Sequence, residues 1–176
     1  MNALKNWGGW IVLTLAVAAL VHIGSVWAVP RVIMARAMSR LGTVNEIHHG
    51  KRPDATARGV VRPSPDLLYS VCPFDLSPAP LHVRASVPRD TYWSVSAFDA
   101  ATNNFYVRND SQIRRAVDFY MVGPGTDLTR VPKDARIVKS PSNKGLVLFR
   151  TLVDEEDRED DIDADRRKAT CAAAPG

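Results

Sequence analysis

The longest apolar run in the chain lies at its start. From Trp7 to Val29 about 23 residues pass without a formal charge. As a helix rising 1.5 Å per residue this run is roughly 34 Å long, enough to cross a hydrocarbon core of ~30 Å. Trp7 and Trp10 at one end and Trp27 at the other suit the two interfaces, where an indole keeps its N–H wet. A helix apolar on every face over this length reads as a membrane helix rather than a core helix. Pro30 is expected to end it, and residues 1–6 form a short tail. His22 reads as a neutral imidazole turned to the headgroups rather than an intramembrane proton site. Val26-Trp27-Ala28 offers small residues to a signal peptidase, but the run exceeds the ~7–15 apolar residues of a signal peptide. An uncleaved signal anchor is expected.

Beyond Pro30 the pattern turns amphipathic. Val32, Ala35, Met38 and Leu41 fall at helical spacing with Arg31, Arg36 and Arg40 between them, predicting a juxtamembrane helix that stops at Gly42. Asn45 to Pro65 carries Gly50, Pro53, Pro63 and Pro65 without periodicity, so residues 30–62 read as that helix and a linker. A period of two then takes over. Leu81, Val83 and Ala85 alternate with polar neighbours, as do Trp93, Val95 and Ala97, and Val117, Phe119 and Met121. Leu146 to Val153 is apolar on both faces except at Arg150, which predicts a central strand. Turn signals stand at Pro88-Arg-Asp90, Asn103-Asn104, Gly123-Pro-Gly125, Pro132 and Pro141. Short strands at this spacing predict a mainly β fold: an antiparallel β-sandwich or jelly-roll-like domain over residues 63–153, preceded by one N-terminal transmembrane helix. Residues 154–176 are expected to be an acidic, helical segment, its acids early and its bases late, as a helix dipole favours.

Composition changes this picture little. The chain has 176 residues, 45% hydrophobic and 24% charged, with a formal charge of +4. That suits one globular domain and excludes a disordered chain, a collagen-like repeat or a large multidomain enzyme. The bases outside the acidic segment are scattered and share no platform with aromatics, so nucleic-acid binding is not expected. Arg31, Arg36, Arg40, Lys51, Arg52, Arg58 and Arg62 form a basic stretch that is either a solvated linker or a contact for anionic lipid headgroups.

Cys72 and Cys171 are the chain's two cysteines, and no CxxC occurs. Two readings are open: two buried free thiols, or one bond closing a loop of about 100 residues, worth up to ~4.7 kcal/mol on loop entropy. The bond would staple the acidic segment to the start of the sheet region. Such bonds persist outside the cytoplasm. With an N-terminal anchor, this places the expected body in the periplasm, on a bacterial inner membrane. Counting Lys5 and the amino terminus against Arg31, Arg36 and Arg40 leans slightly the other way; a difference of about one charge is outweighed by the cysteines.

Pro65-Asp-Leu-Leu-Tyr-Ser70, Pro80-Leu-His-Val-Arg84, Tyr92-Trp-Ser-Val-Ser-Ala-Phe-Asp99 and Thr102-Asn-Asn-Phe105 follow one another, and then Val122-Gly-Pro124, Ser140-Pro-Ser-Asn143 and Arg150-Thr-Leu-Val-Asp154. In this order they resemble the family of the domain of unknown function 1254. The resemblance implies a β-rich, sandwich-type domain. Many members carry a domain of unknown function 1214 next. This chain is expected to be the short, single-domain, membrane-anchored form, with a paired envelope protein bearing that second domain as a possible partner.

Chemistry is sparse. The sequence contains no GxSxG elbow, P-loop, GxGxxG or HExxH, and no cofactor, metal site or catalytic residue is expected. His48 and His49 fall in the linker, where adjacent histidines lack further ligands, and His82 falls on the polar face of a strand. The remaining constellation is Tyr69, Asp99, Asn103, Asn104 and Arg150. Arg150 stands in an apolar run, where an unpaired guanidinium is costly to bury, and Asp99 is its expected carboxylate partner. Asn103 and Asn104 suit a tight turn. The group reads as a salt bridge bracing that turn, or as a polar pocket for a small ligand with Tyr69 alongside. The leading expectation is an accessory binding protein of the cell envelope, and the rival a hydrolase-like enzyme whose site a partner protein or a metal completes.

Overall fold

The computed structural model describes residues 2–54, 56–58 and 63–174. Arg62, the last base of the basic stretch, lies outside them, as does the side chain of Lys5. Helix α1 (Asn2–Leu41) leads into nine strands: β1 (His48–His49), β2 (Leu67–Asp75), β3 (Leu81–Ser86), β4 (Trp93–Asp99), β5 (Asn104–Asn109), β6 (Ala116–Val122), β7 (Ile137–Lys139), β8 (Lys144–Leu152) and β9 (Thr170–Ala173). Helix α2 (Glu159–Arg166) falls between β8 and β9. The strands form a five-stranded sheet, β1-β2-β8-β4-β5, and a four-stranded sheet, β7-β6-β3-β9. Among the described residues all pairings are antiparallel except β6 with β7, which run parallel across the long connection from Gly123 to Arg136.

The core lies between the sheets. Cys72, Phe74, Val95, Ala97, Val147 and Phe149 point inward from the larger sheet, and Leu81, Val83, Val117, Phe119 and Met121 from the smaller. Val95 and Ala97, Leu81 and Val83, and Val117, Phe119 and Met121 are inward positions that the period of two marks. β8 is central, as its apolar character predicts, with β2 on one side and β4 on the other. Gly145 permits that packing: a Cβ there would collide with the Phe98 carbonyl oxygen and the Phe74 ring.

Four expectations about the flanks are corrected. Pro30 does not end the helix; α1 runs through it to Leu41 and is one element, not a span and a separate juxtamembrane helix. A proline removes one helical N–H and leaves the carbonyl four residues back unbonded, but flanking turns hold the helix. The face that α1 lays on the domain is Met34, Ala37, Met38 and Leu41 rather than Val32, Ala35, Met38 and Leu41, and Val32 and Ala35 are exposed. The helix stops where expected, at Gly42, whose φ of +122° favours glycine and whose missing Cβ makes room for the His48 ring. The linker is not wholly irregular, since His48–His49 pairs with β2 and begins the larger sheet. The acidic segment holds a helix, as predicted, but closes with β9, which completes the smaller sheet against β3.

Candidate functional site

The register of β8 separates the two residues expected to pair. Asp99 lies opposite Gly145, whereas Arg150 lies opposite Ser94 on one side and Tyr69 on the other. Five strand positions correspond to about 17 Å, and an odd separation puts the side chains on opposite faces. Asp99 instead braces its own turn. Its Oδ1 accepts from the backbone N–H of Ala101 (2.8 Å) and Asn103 (2.9 Å), and its Oδ2 accepts from Asn103 Nδ2 (3.0 Å). Thr102, at φ +65°, takes the left-handed position within that turn. Asn104 opens β5, exposed, and pairs with Phe98 across a bulge. Asp99 and Asn103 therefore form a structural turn, and Asn104 belongs to the edge strand.

Arg150 and Tyr69 do come together, on the outer face of the larger sheet. The Arg150 Nε donates to Ser94 Oγ at 3.1 Å. Among the described residues the guanidinium has no carboxylate partner and no other side-chain hydrogen bond. Tyr69 Oη accepts from the backbone N–H of Ser64 at 2.9 Å, leaving its own proton to donate. Both side chains open onto a groove of about 680 Å³. Its floor is Val71 of β2 and Leu146 and Leu148 of β8. Its wall is Leu41 and the segment from Lys51 to Asp54, with Thr56, Ala57 and Pro63. The outward positions of β2 and β8 are thus apolar where a solvated sheet face carries polar residues. Lys51 stands exposed at the rim, while Arg52 is spent on structure, with Nε donating to the Pro65 carbonyl (2.8 Å) and Nη1 to Glu159 (2.8 Å). Asp54 also faces the groove and accepts from Thr56 through both its backbone N–H and hydroxyl, which hold its carboxyl below the usual range.

A second polar cluster ties the flanks to the sandwich. Arg166, at the end of α2, is 5% exposed in its side chain. Its Nη1 donates to the Tyr69 carbonyl (2.8 Å) and to Ser70 Oγ (3.1 Å), its Nη2 to the Gly50 carbonyl (2.6 Å), and its Nε to Asp163 (2.6 Å). Ser70 Oγ also meets His49 Nδ1 at 2.8 Å. The arrangement that satisfies every partner has Ser70 accepting from Arg166 and donating to a neutral imidazole. Burial, and then the charges of Arg166 and Arg167, push the His49 pKa below its ordinary value. Asp163 goes the same way: burial alone would raise it, but Arg167 and Arg166 outweigh that and hold the carboxyl low. The cluster locks α2 and the linker onto β2.

Cys72 of β2 and Cys171 of β9 form a disulfide with Cα atoms 6.5 Å apart, bridging the two sheets. On the outer face of the smaller sheet His82 meets Asp118 at 2.7 Å and stacks on Tyr120, the solvated ladder its strand position predicts. Among the described residues no three His, Cys, Asp or Glu side chains stand close enough to share a metal ion.

A two-sheet β domain, carried on a long apolar helix and grooved on its outer face, is the class these observations define. The model of one family, described as a protein of unknown function (DUF1254), matches residues 44–173, and the chain belongs to that family. Two solved structures share the fold. The VPA0106 protein from Vibrio parahaemolyticus superposes with a TM-score of 0.65 at 12% identity, over 85% of this chain and 35% of that one. An uncharacterized protein from Burkholderia cenocepacia superposes with a TM-score of 0.50 at 12% identity, over 89% of this chain and 43% of that one. This chain thus spans less than half the length of either. No curated protein matches the sequence.

Proposed function

We propose that this protein is a membrane-tethered binding protein of the bacterial cell envelope, its β domain on the periplasmic face of the inner membrane and its ligand in the groove under Tyr69 and Arg150. The observation that carries this reading is the position of the groove. Leu41 forms part of its wall and is the last residue of the same helix that holds the apolar run. From Val29 to Leu41 is about 18 Å of helix, and burial of Met34 and Ala37 holds its last two turns against the domain. The groove is therefore carried close to the bilayer on a docked arm. Its volume lies in the range of small-molecule sites, ~300–1,000 Å³. The disulfide supports an oxidising compartment.

The test is site-specific photocrosslinking in intact cells. A photoreactive amino acid at Leu148, on the groove floor, is expected to capture a discrete adduct. The same residue at Val107, exposed on β5 at the sheet edge, is the control. Absence of any adduct at Leu148 beyond that at Val107 would sink the binding reading.

A further inference from the structure

We infer that the groove binds a long-chain amphiphile with an anionic carboxylate head, drawn from the adjacent bilayer. The inference rests on the groove being the ligand site and names what enters it. Arginine among apolar side chains is costly unless its donors are met, and among the described residues Nε alone has a partner, in Ser94. Four N–H donors of Arg150 remain for a guest. The Tyr69 hydroxyl, on the residue directly opposite across the β2–β8 ladder, adds a fifth. A planar fork of this kind matches a carboxylate through two parallel hydrogen bonds. Lys51 on the rim adds positive charge, and Asp54, the acid facing the groove, is turned into its own bonds with Thr56.

The rest of the site excludes a small hydrophilic anion as the natural guest. Leu146, Leu148 and Val71 supply a continuous apolar floor leading away from the guanidinium, and the Leu41 side of the wall is apolar too. A free phosphate would leave that surface wet, whereas an acyl chain would cover it, at roughly 25 cal/mol gained per Å² of apolar surface removed from water. The membrane supplies such chains, and α1 runs unbroken from the span to the groove wall.

The experiment uses the full chain in phosphatidylcholine nanodiscs with a C16 carboxylate bearing a mid-chain diazirine, the methyl ester of the same probe, and peptide mapping of the adducts. Labelling of α1 within the bilayer is the internal standard. The carboxylate is expected to label the β2 and β8 peptides carrying Val71, Leu146 and Leu148, and the ester about tenfold less. Arg150→Met is expected to reduce groove labelling by the carboxylate about tenfold, leaving α1 labelling unchanged. Leu148→Glu, at a half-exposed position that leaves Arg150 in place, is expected to reduce it as well, by repulsion. Excess inorganic phosphate is expected not to compete. Equal labelling by ester and carboxylate, unchanged labelling in both variants, or displacement by phosphate would overturn the inference. If the groove fails to label here while the Leu148 crosslinker in cells captures another kind of molecule, the binding reading stands and the amphiphile is wrong. If both fail, the groove is not a binding site.

Discussion

Arg166 shows how much one side chain holds in place. It reaches the Tyr69 and Gly50 carbonyls, Ser70 and Asp163 from a nearly closed position. Removing it leaves those acceptors short of a donor in a site water reaches poorly. Arg166→Met is expected to lower stability by about 2–4 kcal/mol, read as a lower denaturant midpoint with an unchanged slope. His49 adds a pH dependence. Its folded pKa lies below its unfolded value, so the unfolded state takes up the proton first as pH falls. Stability is therefore complete above about pH 6.5 and declines as pH drops from there toward the lowered folded pKa. His49→Gln is expected to flatten the stability profile between pH 7 and 5; an unchanged slope in that window would show that His49 does not contribute. Neither residue was legible in the sequence as a buried group. Arg166 sits in a run of charges that reads as solvated, and the one clue is Ile162, four residues earlier on the same helical face and also buried. Arg150 was legible as needing a partner, but the strand pattern gives the side a residue faces and not which residues lie opposite.

At the level of elements, period-two alternation located β3, β4 and β6 and their inward faces, while a run apolar on both faces located β8 as a central strand. It was silent on β1 and β9, two and four residues long, which are too short for a period to register. β2 was obscured by Pro73, which normally argues against an inner strand. The structure explains its tolerance. The Pro73 carbonyl accepts from Asn45 on the β1 side, so its missing N–H also faces that side, where β1 has already ended. No ladder bond is lost. Gly145 makes the converse point in β8. Gly145→Val forces a branched side chain into the Phe98 carbonyl and Phe74 ring, and is expected to cost at least about 2 kcal/mol. A thermal melt within a degree of wild type would contradict the close packing assigned there. The sequence pattern divides α1 into two helices because a proline usually breaks one; its continuity rests on the turns on both sides and on the docking of Met34 and Ala37.

In the whole molecule the long apolar helix and the sandwich are joined by more than a linker. The end of α1 packs on the larger sheet, Arg166 ties α2 and the linker to β2, and the disulfide joins β2 to β9 across the core. β9 is an edge strand held on one side alone. Cys171→Ser together with Cys72→Ser is expected to cost about 2–4 kcal/mol and to speed amide exchange at Thr170–Ala173 before the rest of the smaller sheet. Uniform exchange across that sheet would deny the bond its local role. The fold class was legible because composition, alternation and the apolar run agree. The groove was not, since it arises from folding the linker and the end of α1 over a sheet face, a juxtaposition no local pattern encodes.

The proposed function requires a stapled domain held by α1 outside the cytoplasm. Thiol labelling in intact cells, quenched by denaturation with or without reductant and read as a mass shift on a gel, tests it most directly. Cys72 and Cys171 are expected to stay unlabelled in denatured, unreduced protein and to shift together once reduced. Free labelling of both without reductant would contradict the staple and, with it, the proposed periplasmic placement; the charge count flanking the helix would then favour a cytoplasmic body.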